Sequence, residues 1–330
     1  MIGLVTDSNS QIPAELVERY GVEVVPLTVT VDGVIYTEGV DLDADGFYEL
    51  FRHGRASVST SQPSPGRFAS AYEALARRGA DQILSVHIGS ALSGTVNSAR
   101  LAAATSPVPV RVVDTATASF AVTCCLWEAA EAVTRGADLD EAEATAMGVA
   151  ATIGNVFVVG GLDLARAGGR LQAPEALTHP RSLGDAARPA GSATGLIPVL
   201  SLIDGVMRTI GEAASSQEAA AIMAGHMSEW AEGLGVLGAG PGARRRLRVG
   251  LAVADAATVG VADALAERLK ATGLVAELVR YRVGPSVGAH TGPGAVGAMY
   301  YPASVSSDPA GSNSGSKAST ISAVNQLKKS

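Results

Sequence analysis

Residues 82–104 read QILSVHIGSALSGTVNSARLAAA. A short apolar run over residues 82–86 leads through a turn of small and hydroxyl-bearing residues into a helical stretch over residues 94–104. A buried strand that passes through a polar turn into a helix is typical of a parallel sheet with covering helices. This stretch therefore predicts an α/β fold.

The same alternation extends along the first part of the chain. Strands are predicted at residues 2–5 and 110–113, helices at 13–20, 65–78 and 118–134, and a hairpin at Asp32-Gly33. After about residue 150 the order changes: strands are predicted at 156–159, 197–203, 248–254, 275–280 and 287–290, and helices at 216–232 and 257–272. We expect a Rossmann-like parallel-sheet domain over residues 1–150, an α+β domain over 151–303 and a disordered tail over 304–330.

Composition excludes several classes of protein. A net charge of −7 and 4% aromatic residues across 330 residues argue against a nucleic-acid partner. The two cysteines, Cys124 and Cys125, are adjacent and lie in an apolar segment. This indicates a packing role rather than a disulfide scaffold. The chain starts without a basic, signal-like segment and contains no apolar run near 18 residues. A cytoplasmic protein without stable membrane insertion is expected.

Small polar residues follow the predicted parallel strands, at residues 6–10, 87–95 and 114–117. Ligands of parallel sheets bind outside the carboxyl ends of the strands, so these segments are the first candidates for a site. Residues 60–65 and 93–95 also resemble helix N-caps. Two such helix starts beside extra hydroxyls would hold a carboxylate or a phosphate.

Other arrangements of the same residues stay open. Asp7 and Asp114 could form a metal or acid/base pair, although an Asp after a strand more often fixes a loop. Ser93 could be a hydrolase or transferase nucleophile with His290 or His87 as base, but its segment lacks the first glycine of G-x-S-x-G. A sensor of small anions is a third class.

Two further patterns carry less weight. The G-x-G-x-x-G pattern at residues 292–297 lacks the following helix and strand of a dinucleotide site, so its glycines predict close backbone approach instead. The histidines and cysteines show no metal-ligand spacing, and neither a metal nor a cofactor is expected.

Several short motifs together resemble the DegV family across most of residues 1–301. In chain order they are Thr6-Asp7-Ser8, Thr60-Ser61-Gln62-Pro63, residues 90–95, residues 114–119, residues 162–170, Asp204-Gly205 and residues 290–294. Two positions depart from the family pattern, since Ile197 stands where the family usually has Lys and Phe120 where it tends to have Gly.

The resemblance implies two α/β domains that enclose one fatty acid of about 14 to 20 carbons, whose buried chain supplies the affinity. It implies ligand-binding roles for Thr60, Ser61, Ser93, Gly94, Thr95 and His290, and supporting roles for Asp7, Ser8, Asp114, Gly169, Gly292 and Gly294. It further implies a carrier without chemistry of its own, which presents the acid to a separate fatty-acid kinase through residues such as Arg170 and Arg208.

Overall fold

The structure is a computed structural model that describes residues 1–51, 57–160, 196–203, 206–234 and 246–303. Several sequence predictions fall outside the described residues. They are the motif over residues 162–170, which includes Gly169 and Arg170, the motif at Asp204-Gly205, and the tail over 304–330.

The strands are β1 Ile2–Asp7, β2 Glu23–Val25, β3 Thr28–Val31, β4 Val34–Thr37, β5 Val58–Ser61, β6 Gln82–His87, β7 Val110–Asp114, β8 Gly154–Val158, β9 Ile197–Ile203, β10 Val206–Ala213, β11 Leu247–Val253, β12 Val275–Arg282 and β13 Val296–Pro302. The helices are α1 Ala14–Tyr20, α2 Ala44–Glu49, α3 Pro65–Arg77, α4 Thr95–Ala103, α5 Phe120–Thr134, α6 Leu139–Ala150, α7 Ser216–Gly233, α8 Val259–Thr272 and α9 Pro285–Thr291.

A parallel sheet of order β2-β1-β6-β7 organises the N-terminal half, residues 1–153. Helices α3 and α4 pack on one face of this sheet, and α5 and α6 pack on the other. Both faces of β1 and β6 are therefore buried, which explains why these strands read as nearly continuous apolar runs. The predicted parallel sheet with covering helices is confirmed.

A smaller antiparallel sheet, of order β4-β3-β5, lies in the same half. The hairpin between β3 and β4 turns at Asp32 and Gly33, whose φ angles are 48° and 83°. Both residues occupy the positive-φ region that Asp-Gly turns favour, so the predicted hairpin is confirmed. This sheet carries the segment that includes Thr60.

The C-terminal half, residues 154–303, is built on a six-stranded sheet of order β10-β9-β8-β13-β11-β12. Its strand pairs are antiparallel except for β11 and β12. Helices α7 and α8 cover one face with apolar side chains such as Met223, Met227 and Leu265. The mixed α/β fold with a second sheet domain is confirmed.

The strand predicted at residues 287–290 is wrong, because these residues belong to helix α9. Pro285 occupies the first turn of that helix, and Gly292 ends it with a φ of 72°. These two end signals outweigh the strand propensity of a single valine. The expectation that no strand follows the glycines is also wrong, because β13 does.

Helix α5 lies between the two large sheets and is buried over most of its surface. Arg248 on β11 pairs with the buried Glu128 on α5 and stacks 4.6 Å from the ring centre of Trp127. Phe120 stacks on Tyr281 with ring centres 4.5 Å apart. We call this joint, formed by Phe120, Trp127, Glu128, Arg248 and Tyr281, the α5 contact.

Candidate functional site

A cavity of about 400 Å³ lies between the two halves. This volume falls in the range of about 300–1,000 Å³ that small-molecule sites occupy. The N-terminal half contributes Ile88, Leu92 and the loop over residues 116–119, while the C-terminal half contributes α9 and the inward faces of β8 and β13. Its walls are mostly apolar, so the cavity suits a hydrophobic ligand.

The cavity extends along the paired strands β8 and β13. Val158 pairs with Val296 beside α9, because the Gly160 backbone N–H donates to the Thr291 carbonyl at 3.1 Å. Asn155 pairs with Met299 three residues further along, which is about 10 Å at the usual rise of a strand. The cavity therefore runs from a His290 end to a Met299 end.

His290 and Thr60 meet at the first of these ends. Nε2 of His290 lies 3.4 Å from Oγ1 of Thr60, across 230 residues of sequence. Alternation along β5 points Thr60 inward with Val58, whereas Ser61 lies on the opposite, exposed face. The structure thus brings Thr60 to His290 and directs Ser61 away.

Ser93, Gly94 and Thr95 reach the same region through Gln62, which directly follows β5. A Cβ at Gly94 would lie 2.6 Å from the Gln62 amide, so a side chain at residue 94 would displace that amide. Ser93 Oγ lies 2.8 Å from Thr95 Oγ1 and also accepts the Thr95 N–H, so this hydroxyl shapes the start of α4. Of the six predicted ligand residues, His290 lines the cavity itself.

Asp7 belongs to a different, buried cluster. Its Oδ2 lies 2.9 Å from His87 Nδ1, and His87 Nε2 lies 2.6 Å from Ser85 Oγ. This Asp-His-Ser order resembles a catalytic triad, but Asp7, Ser85 and His87 are each fully buried and lie outside the cavity wall. Tyr72 closes the cluster at 3.0 Å from Ser85, and burial raises its pKa to about 12. The cluster holds β1, β6 and α3 together.

The other predicted supporting residues shape loops. Asp114 accepts the backbone N–H groups of Ser90 and Ala116, each at 3.1 Å. Partial burial opposes ionisation of Asp114, but hydrogen bonds from Ser90 and Ala116 outweigh it and lower the pKa of the carboxyl. Within the described residues, no group of three His, Cys, Asp or Glu side chains could hold a metal ion.

Gly292 and Gly294 both adopt positive φ, at 72° and 83°. Gly292 donates back to the Gly288 carbonyl and ends α9, while Gly294 donates to Asp255 Oδ2 at 2.8 Å. A Cβ at Gly297 would lie 2.4 Å from the Val156 carbonyl oxygen. These glycines turn the chain from α9 into β13 and allow close strand approach, as their spacing predicts.

Ser8, Arg208 and the two cysteines were also named from the sequence, and each has a different environment. Ser8 donates its hydroxyl to Glu38 and accepts the Leu27 N–H at 2.9 Å. Arg208 is exposed on β10. Cys124 and Cys125 are buried within α5, and desolvation raises the pKa of both thiols.

Sequence reasoning missed two polar elements of the cavity wall. Asn155 uses its amide as a backbone substitute, since Nδ2 donates to the Leu202 carbonyl at 2.9 Å and Oδ1 accepts the Leu202 N–H at 2.6 Å. Ser119 adopts a φ of 59°, and its N–H donates to Asn9 Oδ1 at 2.9 Å. A lone Asn in a strand gives no sequence signal for the role of Asn155. Nor does the residue type of Ser119 indicate its positive φ angle.

It also missed the joint beside α9. Glu38 and Gln11 of the N-terminal half accept hydrogen bonds from Ser286 and Gly284 of the C-terminal half. We call this joint the α9 contact. No motif in the sequence marks Glu38 or Gln11, because their partners lie more than 240 residues away.

Among the described residues, no helix has both the length and the hydropathy needed to cross a bilayer. A family model described as "Uncharacterised protein, DegV family" matches residues 1–303. A DegV domain-containing protein of Streptomyces coelicolor is 36% identical over 300 residues, which cover 90% of this chain and 97% of that protein. One of Mycobacterium bovis is 32% identical and covers 89% and 95% respectively.

Solved structures agree with this assignment. A structure described as fatty acid binding of a DegV family protein from Thermus thermophilus is 34% identical, with a TM-score of 0.74 over 92% of this chain and 99% of the Thermus chain. DegV of Bacillus subtilis, described as a fatty acid binding protein, is 24% identical with a TM-score of 0.72, covers 92% and 99%, and supports the fold alone. The chain therefore belongs to the DegV family.

Proposed function

We propose that the protein binds one long-chain fatty acid in the cavity between its two halves. The observation that carries this proposal is an apolar cavity with one polar end. At that end, His290 and Thr60 lie 3.4 Å apart. The acyl chain would lie along β8 and β13 toward Met299, and the carboxylate would lie at the His290 end. The fatty-acid-binding description of the Thermus thermophilus relative supports the same ligand class.

The affinity would come from the acyl chain. Removing about 16 carbons from water contributes roughly 12 kcal/mol before the cost of association. The carboxylate has only to avoid being buried without hydrogen bonds, which would cost several kcal/mol. Hydroxyl and imidazole groups meet that requirement without a salt bridge, and a carboxylate held in this way keeps an oxygen available for reaction.

Among the six residues proposed from the sequence, Thr60 and His290 form the centre of the carboxylate site. Ser93, Gly94 and Thr95 belong to the turn that packs on Gln62, two residues beyond Thr60. We propose Ser93 as the nearest additional hydroxyl. Ser61, which the resemblance also indicates, faces the opposite side of β5 and is left out of the proposed site.

The resemblance extends the proposal to a partner. A carrier of this family presents the bound acid to a separate, ATP-dependent fatty-acid kinase, which would place this protein in the cytoplasm and leave it without chemistry of its own. The exposed Arg208 on β10 is a candidate contact for that kinase.

Native mass spectrometry followed by denaturing release tests the proposal directly. We expect a stoichiometric mass in the range of a long-chain fatty acid, or uptake of added palmitate or oleate. A protein that stays empty under both conditions would contradict it. Labelling of Ser93 by a fluorophosphonate would instead favour the hydrolase alternative, because that reagent requires an activated serine.

A matched pair of variants tests the carboxylate site. Thr60→Val removes a hydroxyl that a carboxylate would use, so we expect about a tenfold to hundredfold weaker binding of palmitate. Ser61→Ala removes the neighbouring hydroxyl on the opposite face and should change binding by less than about twofold. Titration of both variants checks this, and equal losses would place the carboxylate elsewhere.

A further inference from the structure

Helix α9 begins without a capping side chain from its own segment. The first backbone N–H groups of any helix lack partners within the helix and must be satisfied from outside it. Pro285 has no N–H, and the Gly284 and Ser286 N–H groups are among those that need partners at this start. Both partners come from the other half of the chain.

The two hydrogen bonds are specific. The Gly284 N–H donates to Gln11 Oε1, and the Ser286 N–H donates to Glu38 Oε1 at 2.8 Å. The pairs are separated by 273 and 248 residues of sequence. The side chains that cap α9 are thus supplied entirely by the N-terminal half.

The surroundings of Glu38 hold it in place. Its second carboxylate oxygen accepts the Ser8 hydroxyl, and only 6% of the residue is exposed. Gln11 Nε2 donates to the Ser8 carbonyl at 2.8 Å, which orients the amide oxygen toward Gly284. A Cβ at Gly284 would lie 2.8 Å from Gln11 Oε1 and 2.9 Å from Glu38 Oε1. A side chain at residue 284 would therefore push the two capping groups away from the start of α9.

The same short helix carries His290, one turn beyond Ser286, and both residues line the cavity. A helix of seven residues has little stability of its own, so its position depends on contacts at its ends and sides. We propose that Glu38 and Gln11 are positioning residues, which hold α9 against the N-terminal half, keep His290 beside Thr60 and thereby set how long the ligand stays bound. The part of this proposal that concerns the ligand rests on the proposed function.

Hydrogen–deuterium exchange on the ligand-free protein tests the positioning itself. Glu38→Ala removes the acceptor of the Ser286 N–H, so we expect the amides of residues 286–291 to exchange about tenfold faster or more. Glu38→Gln keeps an acceptor oxygen at the same place and should stay within about threefold of the parent. Glu18→Ala, at an exposed site on α1, serves as the control. Strands β11 to β13 should keep their protection in every variant.

A second residue keeps the test informative if Glu38→Ala does not fold. Gln11 has a φ of 55°, which Asn tolerates better than Ala does. Gln11→Asn keeps the amide but shortens the side chain, so it should no longer reach Gly284 and should accelerate exchange at residues 284–291. Exchange in α9 that is unchanged in both Glu38→Ala and Gln11→Asn would overturn the proposal.

The rate at which bound cis-parinaric acid is released tests the part of the proposal that concerns the ligand. We expect Glu38→Ala to speed release about tenfold, and to add less than about twofold in a His290→Ala background, because the effect operates through His290. Equal acceleration in both backgrounds would overturn the link to His290. If the parent binds no parinaric acid, the proposed function fails, and the exchange result alone decides whether Glu38 and Gln11 position α9.

Discussion

At the α5 contact a guanidinium lies among carboxylates, whereas at the α9 contact a carboxylate lies among hydroxyls and backbone N–H groups. Arg248 pairs with Glu128 and with Glu277, and it stacks on Trp127. Glu38 accepts hydrogen bonds from Ser8 and Ser286. Both contacts join the same two halves, but they do so with opposite chemistry.

This difference indicates that the interface between the two halves is held more strongly at the α5 contact than at the α9 contact. Opening the α5 contact would return the buried rings of Phe120, Trp127 and Tyr281 to water, which is costly, so the α5 contact opposes opening. Hydrogen bonds to a short helix exchange readily for hydrogen bonds to water, at a net cost near 1 kcal/mol each. The cavity lies against α9, the helix that these hydrogen bonds hold.

The largest effect is expected from Arg248→Met. This substitution takes the guanidinium away from Glu128, whose side chain is 1% exposed, and the loss of one partner from such a pair costs about 3–5 kcal/mol. Urea unfolding measures the change. The double variant Arg248→Met, Glu128→Gln should recover part of the loss, because the uncompensated buried charge is then gone. A loss below about 1 kcal/mol would show that the α5 contact is not the more strongly held one.

An intermediate effect is expected from pH at Glu38. Burial, which outweighs the hydrogen bonds from Ser8 and Ser286, raises the pKa of this carboxyl above its usual value. Other groups that face it are Gln11 and the buried phenol of Tyr48. The folded state therefore holds the proton more tightly than the unfolded state does. This contribution to stability is complete below the ordinary glutamate pKa and is lost as pH rises through the raised one.

The measurement is the free energy of unfolding of the parent and of Glu38→Gln from acid to neutral pH. The parent should lose stability relative to Glu38→Gln as pH rises, since the variant has no proton to release at that site. Parallel curves for the two proteins would contradict the assignment.

The smallest effect is expected from Asp45→Asn. Asp45 pairs with Arg282 across the halves at 2.6 Å beside the α9 contact, but its side chain is 62% exposed. Exposed ion pairs contribute about 0–1 kcal/mol and weaken with salt. Unfolding at low and high salt checks this. A loss as large as that of Arg248→Met would erase the distinction between the two contacts.

Much of the fold follows from local patterns in the sequence. The parallel strands with their helices, the Asp32-Gly33 hairpin and the helix over Ser216–Gly233 match the predictions because each is set by periodicity and turn chemistry within a few residues. The error at residues 287–290 arose where a seven-residue helix is defined by its end signals, Pro285 and Gly292, rather than by an apolar period. Strand β13 is hard to predict because Gly297 and Ala298 are small residues packed in a sheet centre.

The residues of the site also differ in how far the sequence alone could identify them. His290 and Thr60 were found because they belong to motifs, and the structure places them together. His87 and Ser85 form an Asp-His-Ser arrangement with Asp7, yet they lie in the closed core. Residue type does not distinguish these two histidines. Only their depth and their surroundings do.

The sequence by itself determined the α/β class, the family, and the supply of hydroxyls and glycines at strand ends, because these depend on propensities that act over a few residues. The tertiary structure decided which face of β5 meets α9, so that Thr60 rather than Ser61 contacts His290. It also decided that Glu38 and Gln11 cap a helix about 250 residues away. Backbone N–H groups at a helix start need partners, but the packing of whole domains selects which side chains are near enough to serve.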